Sequence, residues 1–321
     1  MSTVVPDPLA PAPIDRQGIR LGDVLFKGVA AIAAIGVTAL LVFLTYKIFN
    51  LAWPAMKEFG LSFIWTQAWN PTTNVYGALV FIYGTLVTSF IALLLATPLS
   101  IAIALFLTEI APRRAAAPIA TLVELLAAVP SVVLGLWGIL VFGPWVRDTL
   151  EPWLQSFLGW CPLFSGEPSQ AGMLPAALVL TIMIIPITSA ICRELFSRTP
   201  RDLMDGAMAL GSTRWEAIRG VMFAYAAPGI AAAVLLGLGR AFGEAIAVNQ
   251  VIGGANSIHI SLFAPADSLG SRIAAQYQGA TSALQASSIL YLGAILMVIS
   301  LVTNVLAQVI VRRFERSRRA Y

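Results

Sequence analysis

Apolar residues gather into six long runs along this chain, separated by shorter stretches where charge, proline and glycine collect. The runs cover approximately residues 28–50, 77–107, 117–142, 173–192, 221–250 and 285–311. Each has about the 20 residues that a helix needs to cross the hydrocarbon of a bilayer. The second and fifth are longer, which predicts tilt or helix projecting past the membrane. The pattern therefore predicts an all-α membrane protein with six transmembrane helices.

Lysine and arginine in the connections orient the spans, because basic residues favour the cytoplasmic side. Arg16, Arg20 and Lys27 precede the first run, and Arg113 and Arg114 join the second to the third. Arg193, Arg198, Arg201, Arg214 and Arg219 join the fourth to the fifth, and Arg312, Arg313, Arg316, Arg318 and Arg319 follow the sixth. Fifteen of the 20 basic residues thus fall on one side. Lys47, Lys57, Arg147 and Arg272 fall on the other, and Arg240 lies within the fifth run. Both termini are expected in the cytoplasm. Residues 1–24, with Pro6, Pro8, Pro11 and Pro13 and no apolar core, predict a disordered cytoplasmic arm and not a signal peptide. Residues 25–315 form the membrane domain and 316–321 a basic cytoplasmic tail. The outer connections are 51–76, 143–172 and 251–284; the first holds Trp53, Trp65 and Trp69, the last the only histidine, His259.

Composition narrows the function classes. Charged residues are 11% of the chain and apolar ones 58%, whereas soluble domains carry about 25% charge. Cys161 and Cys192 fall on opposite sides of the expected membrane, so no disulfide and no metal cluster is predicted. None of the three lysines sits in a phosphate-binding Gly-x-x-x-x-Gly-Lys loop, so the chain has no ATP site of that type. A single histidine excludes a two-histidine zinc helix, and no Gly-x-Ser-x-Gly elbow is present. The chain reads as non-enzymatic, binding no cofactor or metal itself and having no nucleic-acid partner.

Two segments carry candidate chemistry. In the connection 193–220, Thr199, Pro200 and Asp202 signal a helix start, and Leu203, Met204, Ala207, Met208 and Leu210 give a short apolar stripe. Gly211 predicts a left-handed end to that helix, with Ser212 or Thr213 capping the next. By periodicity alone this is a helix lying on lipid headgroups or one awaiting a partner. In the fifth run, Arg240 and Glu244 stand four residues apart, which on one helix places them on one face. A charge there costs about 2.5–3.5 kcal/mol unless it is paired, wetted or used. The pair is either architectural or an anion site, since a guanidinium donates two parallel hydrogen bonds to phosphate and stays charged. Glu124, expected about two helical turns into the third run, is a weaker second candidate for the pathway.

Asp205-Gly206-Ala207, Leu210-Gly211, Trp215 and Pro228-Gly229 resemble the Glu-Ala-Ala-x-x-x-Gly coupling motif of ABC-importer membrane subunits. Asp205 and Gly206 replace its Glu-Ala, and Ala224 stands where a proline is frequent. Tyr76-Gly77-Ala78-Leu79, Phe81-Ile82-Tyr83-Gly84-Thr85-Leu86, Thr88-Ser89, the block Glu124 to Val133, Ile185-Pro186 and Gly237-Leu238-Gly239-Arg240-Ala241-Phe242-Gly243-Glu244 resemble the phosphate-specific branch. Ala247-Val248 is similar to PstC more than to its paired permease PstA. The resemblance covers roughly 75–315. It implies a type I importer permease fold with Asp205, Gly206, Ala207, Leu210 and Gly211 docking on an ATPase, and Arg240 and Glu244 on the substrate pathway. It also implies a PstA-like permease partner, two PstB-like ATPase subunits that hold ATP and Mg, a PstS-like extracytoplasmic phosphate-binding protein, and a place in the cytoplasmic membrane of a bacterium or archaeon. A permease for another solute, or a self-contained secondary transporter or channel, stays open.

Overall fold

The computed structural model describes residues 21–319. Most of the expected arm at 1–24 and the last two residues of the expected tail lie outside that range. The chain divides between Lys47 and Ile48 into two compact units. Helix α1, Leu21–Phe59, belongs to both. Within the first unit its large apolar side chains, among them Phe26, Ile32 and Leu41, are exposed, as suits a helix whose solvent is lipid.

The second unit is a helical bundle. Its first long elements are α2 (Leu79–Ile110), α3 (Arg113–Ala127), α4 (Ser131–Leu158) and α5 (Met173–Ser197). They are followed by α6 (Arg201–Ala209), α7 (Arg214–Gly243), α8 (Ile246–Val251), α9 (Leu269–Gln276) and α10 (Ala283–Arg319). Six helices among the described residues are long and apolar enough to cross a membrane: α1, α2, α4, α5, α7 and α10. In the most apolar stretch of α5, 67% of residues are buried, against 22–33% in α2, α4, α7 and α10. Helix α5 is therefore the axis, with α2 and α7 packed along it. The other spans turn an apolar face outward, towards lipid or another chain. Ala92, Ala96, Ala176 and Ala177 are fully buried and let α2 and α5 approach closely. Three buried hydroxyls are satisfied locally: Thr85, Thr88 and Thr181 donate to the carbonyl four residues earlier at 2.7–2.8 Å.

Four boundaries differ from expectation. The third run is not one span over 117–142: α3 stops at Ala127, the chain extends at Pro130, and the long apolar helix begins at Ser131. Pro130 lacks an N–H and holds the preceding residue out of the helical region, which is enough to part the two helices. Helix α4 then continues to Leu158, so the connection expected from 143 starts only at Gly159. Two π turns, Gly138–Phe142 and Val146–Leu150, each precede a fresh α-helical turn in which Pro144 or Pro152 sits near the start, where a missing N–H costs nothing. The fifth run is also two helices. Helix α7 ends at Gly243 and α8 starts at Ile246, with Glu244 extended between them. Helix α10 carries on to Arg319, through most of the segment expected as a tail.

Candidate functional site

Arg240 lies in the last turn of α7, where the carbonyl end of the helix favours a cation. Its neighbours on the chain make room: a methyl placed on Gly239 or Gly243 would meet nothing within 4 Å. One turn earlier, Gly237 packs against Ile184 and Thr188 of α5, and in the turn that carries Arg240 the neighbouring Ala241 and Phe242 are buried. The guanidinium is half-buried, and its Nε is enclosed with no hydrogen-bond acceptor. Glu244 does not pair with it. The break after Gly243 removes the shared helical face, and the Glu244 carboxylate instead accepts the Ala247 N–H at 3.3 Å, capping α8. In place of the expected i,i+4 ion pair, a guanidinium unpaired among the described residues stands beside an interrupted helix. Buried Thr188 Oγ1, also without a partner, lies on the same stretch of α5 that faces Gly237. Interrupted helices are tolerated at membrane depth where the freed backbone meets protein or a wet cavity.

Glu124 falls elsewhere. It lies in α3, before the break at Pro130, and forms an ion pair with Arg193 near the end of α5. The single helix expected to carry it through a span is two helices, and the uninterrupted apolar one starts seven residues later. No bond joins it to Arg240 or Glu244 among the described residues.

The segment between α5 and α7 forms a bracket. Helix α6 starts after Pro200, but Thr199 does not cap it; its hydroxyl is buried and unpartnered. At the far end Gly211 adopts φ +93°, with Ser212 N–H donating to Ala207 O at 3.2 Å and Gly211 N–H to Met208 O at 3.0 Å. That is the left-handed close that only glycine adopts freely. Thr213 and Glu216 then cap each other reciprocally at the start of α7. Arg214 anchors the bracket by donating to the backbone oxygen of Glu109 at 2.6 Å and to its carboxylate at 3.1 Å. Asp205 and Gly206 are exposed, Ala207 is half-buried towards the bundle, and Leu210 is 91% exposed. With Leu203 and Trp215 also exposed, the bracket presents apolar side chains to whatever lies beyond it. Behind it, a cavity of about 780 Å³ is lined by Glu109, Arg193, Arg201, Asp205 and Met208 among others.

Residues 96–316 match the family described as "Binding-protein-dependent transport system inner membrane component". The chain belongs to that family. Among its relatives, the phosphate transport system permease protein PstC of Mesorhizobium japonicum is 41% identical over 92% of this chain and 91% of its own length. The protein of the same name from Pasteurella multocida is 40% identical over 95% and 96%. Of solved structures, a bacterial alginate ABC transporter with its periplasmic protein aligns at TM-score 0.60 and 16% identity, over 91% of this chain and 97% of the other. The MetNI methionine ABC transporter, in an inward-facing conformation, aligns at TM-score 0.52 and 17% identity, over 73% and 94%. Those two likenesses establish the fold.

Sequence reasoning assigns Arg272 only a side of the membrane. In this family member it is almost fully buried at the opposite end of the bundle from α6, paired with Asp267 at 2.7 Å. Its guanidinium stacks over Phe81, 4.7 Å from the ring centroid, and also reaches Asn256. Burial pushes the Asp267 carboxyl up from the ordinary aspartate value, and the guanidinium beside it opposes that rise. No sequence periodicity joins these two residues, which come from a loop and the helix after it.

Proposed function

We propose that this chain is the PstC-type permease subunit of an ATP-driven importer of inorganic phosphate, set in the cytoplasmic membrane with both termini inside. The observation that carries the reading is Arg240: a guanidinium at the end of a membrane helix, with no acidic partner, beside a backbone break. A permanent charge in that place is stabilised by an anion that comes and goes, and a phosphate oxygen pair fits its fork. The relatives named for phosphate transport support the choice of anion.

On this reading an extracytoplasmic binding protein delivers phosphate to the end of the bundle that holds α9. Arg240 accepts the anion by charge-assisted hydrogen bonds, while Glu244 holds α8 in place as its cap. Two ATPase subunits grip the bracket from α6 to Trp215, and a homologous permease completes the pathway against the apolar faces that α4, α7 and α10 leave bare. Closure of the ATPases moves α6, and Arg214 carries that motion to Glu109 at the end of α2. ATP and Mg stay on the ATPase subunits.

The test is phosphate uptake by the assembled importer at native expression. Arg240→Gln is expected to lower uptake at least about a hundredfold with assembly intact, the scale of losing a charge-assisted bidentate contact. Arg240→Lys keeps the charge but not the fork and should retain partial uptake. Normal uptake with Arg240→Gln sinks the assignment.

A further inference from the structure

The loop that follows α8 folds back and delivers α9 onto the break that separates Arg240 from α8. Three contacts put it there. A methyl on Gly270 of α9 would stand 3.3 Å from Ala245 and 3.4 Å from the carbonyl oxygen of Glu244. Ser271 donates to the Asn249 side chain of α8 at 2.9 Å. On the other flank, Leu269 N–H donates to Thr85 of α2 at 2.9 Å, and Gly84 leaves no room at all: a methyl there would overlap the Asp267 carbonyl at 1.9 Å. Helix α9 therefore fills the space between α2 and the α7–α8 break.

The Asp267–Arg272 pair fixes that placement. Asp267 bonds its own loop through Ser268 N–H at 2.7 Å, and Arg272 ties α9 to Asn256 in the preceding loop while stacking on Phe81 of α2. Burying two charges is expensive, and well-packed apolar residues usually serve stability as well or better. A buried pair with complementary geometry can instead select one arrangement of the elements it joins. Arg272 Nε is enclosed with no acceptor, so even this arrangement leaves one donor unmet, a cost that a second arrangement of the loop can relieve.

We propose that Asp267 and Arg272 are positioning residues for transport: they hold α9 closed over the α7–α8 break, and their release opens the Arg240 site at that end. The proposal rests on Arg240 as the anion site, but its test uses no phosphate. The whole importer is assembled in lipid nanodiscs, where both faces meet solvent, with Cys161→Ser and Cys192→Ala to remove the native thiols. Ala245→Cys, half-buried beneath α9, is the reporter, and the rate of its labelling by a charged maleimide is read. Arg272→Met, which removes the charge, and Gly84→Ala, which wedges the Asp267 backbone away without touching a charge, should each raise labelling about tenfold by shifting the closed population. Arg272→Lys should change it by less than about threefold, since it keeps a cation beside Asp267. Equal labelling rates in all of these proteins overturn the proposal. So does failure of both Arg272→Met and Gly84→Ala to assemble, which assigns the pair to folding alone. Phosphate uptake, measured separately on the cysteine-free parent, bears on the substrate and not on this brace.

Discussion

Among the described residues, Arg240 and Arg272 each have a buried Nε without an acceptor, yet the rest of each side chain meets the protein in opposite ways. Arg272 has an aspartate, an asparagine and an aromatic face around it, whereas Arg240 has an open flank of glycines and, among the described residues, no acidic partner. The first is held in place; the second is left available. Glu124 belongs with the held group. Its pair with Arg193 is half-exposed, 50% and 34% by side chain, and exposed pairs contribute about 0–1 kcal/mol. Glu124→Gln is therefore expected to leave phosphate uptake within about twofold of wild type. A loss as deep as that of Arg240→Gln would return Glu124 to the translocation pathway.

At the scale of elements, the α6 bracket makes two glycines easy to tell apart. Gly206 is helical and exposed, with nothing near it, so Gly206→Ala should stabilise α6 by about 0.5–1 kcal/mol and leave ATPase co-purification intact. Gly211 sits at φ +93°, where a side chain costs about 1–2 kcal/mol, so Gly211→Val should loosen the bracket and lower recovery of the ATPase with the permease. Equal recovery for both variants would mean that the shape of the turn is not read by the partner. This bracket was legible in the sequence because caps and left-handed closes are written in local residue types. The six spans were legible for a similar reason, since hydrocarbon demands long apolar runs. The break after Gly243 was not. A glycine in an apolar run reads equally as a packing contact and as a helix end, and what ends α7 is the seating of α8 and α9, contacts remote in sequence. The Asp267–Arg272 pair was hidden for the same reason.

For the molecule as a whole, burial is unevenly shared: α5 is enclosed along most of its length while its neighbours cover it and leave their own outer faces bare. On the proposed function the chain is half of a pathway, so purified alone in liposomes it should carry no phosphate above background, with transport restored when a homologous permease, the ATPases and a binding protein are supplied. Transport by the lone chain would place it among secondary transporters. Cys192 sits at zero exposure on α5, in the cluster with Phe196, Ile218 and Met222, while Cys161 lies half-buried in the loop after α4. The two thiols therefore run on different clocks. Cys161 is within reach of a small alkylating reagent while the chain is folded. Cys192 reacts only when the packing around the central helix has come apart, so its rate of alkylation in detergent or lipid reads the kinetic lifetime of the native bundle without any engineered reporter residue.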